Sequence, residues 1–450
     1  MERRQIGTTR RMLLMEIAGL WGIGSILLSA CRRPAQPPPS APLVQPARGP
    51  VLVMLQDDIG ADVREQQLAR LQERQPALQL KTERWTGNRF QKLVVALAAG
   101  SGIPDVFHFV PASILELASK QAIVGLDALI RRDAYDIEDF HAPTVEQYRW
   151  KGTLYSIPWP GVRALYVNVD LFGKAGAALP PVSWNQPAWT YEAFVDLARR
   201  LTVPGEPPQF GFDWSTDYRG WGPIVFALGG ELFSRDLRKV LLTQPPGVAA
   251  LQFLQDLRYK FAVAPTPQVY QQYQTSNVKL FKEGRTAMFF YWAAALNEFR
   301  SEISAFTFDV RPMPRSAGGA VTSGGGQGWS IAAQSRAIDA AWEVLKFLGS
   351  RENMEVEMHA GITPPARKSL ADSPAWTDPV KPPRNNRVFA DGFAYIRVDP
   401  LLLNWNDVQA AMQAEIDKLL TNQQSASATA AAIKDRVEPL LEENARLLGL

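Results

Sequence analysis

From Val51 onward, apolar and polar residues alternate in short blocks whose period switches between two and about 3.6. Val51–Leu55 is an apolar run suited to a buried strand, ended by Gln56, Asp57, Asp58 and Gly60. Asp62 to Gln75 is amphipathic, with Leu68 and Leu71 on one face and Val63 at its edge, and reads as a helix. Leu78 to Arg84 alternates as a strand does. Phe90 to Ala99 is apolar at helical spacing and stops at Gly100. Asp105–Phe109 is the next strand and Ile114–Ser119 the next helix. Short connections between these elements predict parallel βαβ units, hence an α/β fold.

The middle of the chain is more helical and more aromatic. Leu165–Asn168 reads as a strand. Thr190–Leu201 reads as a helix with Phe194, Leu197 and Leu201 in register and Thr190 placed to cap it. Val278, Leu280 and Phe281 end another helix, and Glu283–Arg285 turns the chain into the strand Ala287–Trp292. Asp213, Trp214, Asp217, Tyr218, Arg219 and Trp221 read as an aromatic and charged loop ahead of Gly222 and Pro223. Ala340–Gly349 is a helix with Trp342 facing inward, and Asp407–Leu420 and Ala430–Leu448 are two more. No internal repeat is visible.

Composition narrows the function classes. The chain has 450 residues, 46% hydrophobic and 21% charged, ordinary values for a globular protein and enough length for two domains. Much of its supply of 13 Trp, 11 Tyr and 21 Phe clusters in loop-like stretches punctuated by Pro and Gly and not at core spacing. There is no basic stripe for a nucleic acid. Cysteine occurs once, at Cys31, so no internal disulfide can form. Arg3, Arg4, Arg10 and Arg11 precede an apolar stretch from about Ile17 to Leu28 that is too short for a permanent membrane span. Leu28-Ser29-Ala30-Cys31 resembles a bacterial lipobox, which implies a signal peptide over 1–30, acylation of Cys31 and a lipid-held protein outside the cytoplasm. Thr9–Leu14 resembles a twin-arginine export signal. Residues 31–50 are a Pro-rich tether that extends without folding. Losing the four arginines and two glutamates of the leader lowers the formal charge from +3 to +1.

Signals for chemistry are weak. His108, His141 and His359 are scattered, and there is no His-Glu-x-x-His and no Gly-x-Ser-x-Gly. The run Gly324–Gly328 lacks the Lys-Ser/Thr of a phosphate loop. No catalytic residue, metal ligand or cofactor is therefore assigned. An exported glycoside hydrolase stays open as an alternative, with Asp213 or Asp217 as one carboxylate and no nominee for the other.

Several stretches carry a resemblance when read in order: Lys92–Gly100 with Pro104–Val106; Gly152–Pro158 leading to Ala164–Gly176; Trp189–Phe194 with Ala198–Thr202; Phe281–Met288; Val310–Pro314; the Gly-rich stretch to Trp329; Ala340–Leu348; and Gly361–Arg367. At these separations, over about residues 51–445, the chain resembles the family 1 extracellular solute-binding proteins, the receptors of ATP-binding-cassette importers. The resemblance implies a two-lobed periplasmic-binding-protein fold of type II character, each lobe a central β-sheet flanked by helices, joined by a hinge. It implies an N-lobe of 51–160 and 310–366 and a C-lobe of 161–309 and 367–450, with crossings near Pro158–Arg163, Val310–Pro314 and Arg367. It further implies a monomeric receptor that closes on a solute and hands it to membrane permease subunits.

A sugar needs aromatic plates for its C–H faces and planar polar side chains for its hydroxyls. The residues placed to supply them are Trp85, His108, Phe109, Trp159, Arg163, Asp217, Arg219, Trp221, Trp292, Gly326, Trp329 and Arg367. Aromatic density points to an oligosaccharide. The competing ligand is a glycerol-phosphate-like or other anionic solute, bound through Arg89, Arg163, Arg219 or Arg367.

Overall fold

The computed structural model describes residues 49–448, apart from 59 and 379. Cys31, the leader and the tether up to residue 48 thus lie outside the described residues. The apolar runs form one mixed sheet from β1 (Val51–Gln56), β2 (Leu80–Trp85), β3 (Val106–Phe109), β4 (Ile157–Asn168), β5 (Phe210–Trp214), β6 (Thr286–Trp292), β7 (Phe308–Arg311) and β8 (Thr322–Ile331). Their order is β2-β1-β3-β8-β4-β6-β5, with β7 also on β4 and a two-residue strand, Ile396–Arg397, on β8. β1 runs parallel to β2 and β3, as the alternation of strands and helices predicts, and the links are α1 (Ala61–Arg74) and α2 (Arg89–Ala99). After β3 comes α3 (Pro111–Ser119).

β4 joins two halves of this sheet. Ile157–Val162 pairs with β8, which in turn pairs with β3, while Arg163–Val167 pairs with β6 and Leu165–Asn168 with β7. The sequence pattern finds only the second part of β4, because Pro158 and Pro160 argue against a strand. Opposite them in β8 stand Gly328 and Gly326. Gly326 has φ +85, and a Cβ there would collide with the backbone of Gly161 and Trp159. The glycine run thus lets two strands approach closely, and its backbone is committed to pairing, not to cradling an anion.

The stretch from Asp213 to Trp221 corrects the loop expectation. Phe210–Trp214 is a buried strand, and Asp217 caps α5 (Tyr218–Ala227) by accepting from Gly220 N at 3.0 Å, after α4 (Tyr191–Leu201) capped by Thr190. Pro223 falls inside α5. Burial of Trp221, Ile224 and Val225 on that helix outweighs the backbone bond that proline removes.

Residues just past β7 stay with the second half: Trp189 Nε1 donates to Pro312 O at 3.0 Å and Gly318 N to Ala227 O at 2.9 Å. Arg367 stays with the first half, donating to Gly349 O at 2.9 Å and to Asp136 O at 3.0 Å. Asn385, by contrast, reaches Val182 O and Val310 O. α6 (Pro245–Tyr259) carries the two C-terminal helices, after α7 (Ile338–Leu348) and α8 (Arg351–His359) complete the first half; they are α9 (Trp405–Leu420) and α10 (Ala426–Leu448). Among the described residues no helix is long and apolar enough to cross a membrane.

Candidate functional site

A cleft of about 280 Å³ opens beyond the carboxyl ends of β1 and β3, where parallel strands leave room for ligands. Asp58 and Val110 follow those strands; Trp159, Pro160 and Gly161 come from β4, Gly326 and Gln327 from β8, and Ile362–Pro364 follow α8. Arg219 in the first turn of α5, Trp292 at the end of β6 and Ala294 close it from the other half. The two halves of the sheet therefore each contribute one indole to the same space.

Trp159 is fixed at its edge and on its face. Its Nε1 donates to Glu357 Oε2 at 2.7 Å, and the Arg64 guanidinium lies 4.5 Å from its ring centroid. Arg64 is buried and donates through both terminal nitrogens to Asp58 Oδ1 at 3.0 Å, and Gly60 N bonds the same oxygen. Asp58 lines the cleft, and the hydrogen bonds to its carboxylate among the described residues all go to Oδ1. Burial pushes the Glu357 carboxyl above its ordinary range, with Arg64 opposing.

Behind Trp159 lies an amide network. His108 shares a 2.7 Å hydrogen bond between Nδ1 and Gln327 Oε1, and its Nε2 accepts from Gln56 N at 3.3 Å. This pattern suits a neutral ring protonated on Nδ1. Burial, with Arg64 and Arg89 nearby, holds its pKa well below 6.5. Gln327 Nε2 donates to Gln56 Oε1 at 2.8 Å, and Arg89 donates to the same oxygen at 2.7 Å.

The opposite wall is built differently. Arg163 and Trp292 are cross-strand neighbours, and the guanidinium sits 4.2 Å from the ring centroid. Arg163 is fully buried and donates to Asp217 Oδ2 at 3.0 Å, but its Nε and Nη1 have no partner among the described residues. Burial lowers its pKa to about 10 despite Asp217. Gly161 lies under the Trp292 ring, where a side chain would crowd it. Arg219 donates to Gly324 O and, at 2.6 Å, to Asp399 Oδ2.

The residues expected to meet a ligand separate into three groups. Trp159, Arg219, Trp292 and Gly326 line the cleft. Arg163 and Asp217 stand behind Trp292, and His108 and Trp329, with ring centroids 4.2 Å apart, stand behind Trp159. The rest lie elsewhere. Phe109 packs on Phe90 and Phe107, and Trp221 is fully buried with its Nε1 on Gln413. Arg367 stacks 4.4 Å from Phe140, and Trp85 ends β2 with its Nε1 3.4 Å from Glu83. For Phe109 and Trp221 the physical reason is shared: an aromatic ring on a strand or helix face fills the core before it can face solvent.

Sequence reasoning passed over Asp58, Arg64, Gln327 and Glu357. Only Asp58 carries a local signal, a polar break directly after a buried parallel strand; the others gain meaning from tertiary neighbours. Among the described residues no group of three or more His, Cys, Asp or Glu side chains suits a metal ion.

Residues 57–355 match the family described as bacterial extracellular solute-binding protein. A relative from Brucella abortus (strain 2308), named as a binding protein, is 28% identical over 221 residues, 48% of this chain and 50% of its own. The chain thus matches about half the length of these curated relatives. Among solved structures, an ABC substrate-binding protein of Listeria monocytogenes in complex with cycloalternan superposes with a TM-score of 0.76 at 18% identity, over 89% of this chain and 99% of that one. UgpB from Mycobacterium tuberculosis in complex with glycerophosphocholine gives 0.75 at 19%, over 88% and 99%. The fold is therefore the two-lobed α/β fold of periplasmic binding proteins, with helices flanking the central sheet.

Proposed function

This chain belongs to the bacterial extracellular solute-binding proteins, and from that premise we propose that it captures a neutral sugar, a short oligosaccharide, between Trp159 and Trp292 and leaves it unaltered. The observation that carries this reading is the placement of one indole from each half of the sheet on a single small cleft with Asp58, Arg219 and Gln327. Indole faces suit the C–H faces of a sugar, while a carboxylate, a guanidinium and an amide supply the mixed acceptors and donors its hydroxyls need.

Charge accounting favours a neutral solute over an anion. Of the arginines that could hold an anion, Arg163 is paired with Asp217, Arg219 with Asp399, and Arg367 with Asp139 away from the cleft. Arg89 has no carboxylate partner among the described residues, but its donors already serve Gln56, Gln327 and His108 O. A glycerophosphodiester remains the second reading, supported by Arg219 on the lining and by the likeness to the glycerophosphocholine-bound UgpB fold. The volume of about 280 Å³ sits at the small end for ligand clefts, which suits one or two rings.

In this reading the lobes follow roughly 51–160 with 310–366 and 161–309 with 367–450, with the later crossings drawn toward β8 and the segment before Asn385. Ligand contacts from both lobes favour the closed form, and that differential affinity is what a membrane permease of an importer would sense. Lipid attachment at Cys31 would hold the receptor outside the cytoplasm beside that permease. Titration calorimetry against neutral maltose-type oligosaccharides and against glycerophosphocholine tests the proposal, with chromatography of the recovered sugar. Binding of the phosphodiester alone would replace the first reading with the second, and a shortened sugar would replace both with a hydrolase.

A further inference from the structure

Glu357 stands one layer behind the cleft and does not line it. It is nevertheless bonded to two parts of the same wall. Its Oε2 accepts the Trp159 indole N–H at 2.7 Å, and its main-chain oxygen accepts from Ile362 N at 2.9 Å. Ile362 opens the Ile362–Pro364 rim of the cleft, and Thr363 Oγ1 donates to Pro160 O, next to Trp159, at 3.2 Å. Plate and rim are therefore tied to one residue at the end of α8.

The local environment fixes this carboxyl in turn. Glu357 is 1% exposed. Its other oxygen lies 3.4 Å from Asn353 Nδ2, and that amide is oriented by Leu348 O at 3.0 Å. Arg64 covers the face of Trp159 while Glu357 takes its edge, so the indole has little freedom to turn about its side-chain torsions. Trp292 has a guanidinium on its face but nothing comparable at its ring nitrogen among the described residues.

We propose that Glu357 is a positioning residue for ligand capture: its carboxyl locks Trp159 in the orientation that receives a sugar face, so binding does not have to freeze the plate. This rests on the reading that Trp159 meets the ligand. An acceptor beyond the cleft raises affinity by removing an ordering cost in advance, without touching the solute.

Glu357→Gln keeps a carbonyl acceptor for the indole, and Glu357→Leu removes it. The expected result is affinity for a bound oligosaccharide within about threefold of the parent for Glu357→Gln and about tenfold weaker for Glu357→Leu. In the Trp159→Phe background, which has no N–H to donate, the two Glu357 variants should bind alike. In the unmodified ligand-free protein, the Trp159 indole N–H, assigned by its loss in Trp159→Phe, should exchange slowly and resonate downfield of exposed indoles. Solvent-rate exchange of that proton would overturn the proposal even if Glu357→Leu failed to fold. Parent-like affinity in Glu357→Leu alongside weak binding in Trp159→Ala would overturn it while leaving the sugar reading intact. Parent-like affinity in Trp159→Ala would instead remove the sugar reading on which it rests.

Discussion

The two walls of the cleft solve one problem with unequal rigor. Trp159 is held on its face by Arg64 and at its edge by Glu357, and Arg64 is doubly bonded to Asp58. Trp292 is held on its face by Arg163, whose Nε and Nη1 are buried without partners and whose carboxylate partner Asp217 is half-exposed. A buried guanidinium with unmet donors costs free energy, and among the described residues Arg64 leaves only its Nε unmet where Arg163 leaves both Nε and Nη1. The first plate is thus fixed on its face and at its ring nitrogen, and the second on its face alone.

That contrast can be broken in several ways. The largest effect is expected where the walls meet: Gly326→Ala should destabilise the protein by about 2–4 kcal/mol in urea unfolding, because φ +85 and the neighbouring Gly161 and Trp159 backbone exclude a methyl. A mild effect would mean the strands at the crossing can separate. Next, Trp159→Ala should weaken sugar binding by about 2–3 kcal/mol and Trp292→Ala by about 1–2. Equal losses by calorimetry would erase the difference between the walls.

Acid should act through the first wall. The folded His108 titrates well below 6.5, so between those values the unfolded chain binds a proton that the native state does not. Stability should therefore fall as pH drops below 6.5, by up to about 1.4 kcal/mol per unit, and a His108→Gln variant should lose that component of the slope. The smallest effect is expected behind the second wall. Arg163→Met should change stability by less than about 1 kcal/mol, since it removes an under-bonded charge and leaves Asp217 able to hydrate. A large loss in thermal unfolding would show that Arg163 supports its wall as firmly as Arg64 does.

Much of the fold was legible because period and punctuation agreed. β1, α1, β2, α2 and β3 follow the apolar pattern within a few residues, and Thr190 caps α4 as its position suggests. Legibility failed where proline and glycine carry a tertiary meaning. Pro158 and Pro160 hid the first part of β4, and the glycines opposite them hid β8. In the site, Trp159 and Trp292 were visible as aromatics at strand crossings and ends. Trp221 looked equivalent, but a helical face turned it into the core. Gln327 and Glu357 draw their roles from partners some two hundred residues or more away, which no local pattern encodes.

β8 lies between β3 and β4 although it follows both in the chain by more than 150 residues. Whatever is synthesised before Ile331 therefore carries a gap in the sheet, with two unpaired edges waiting for their central strand. Such long-range pairing slows folding and leaves those edges open to mispairing until that segment arrives.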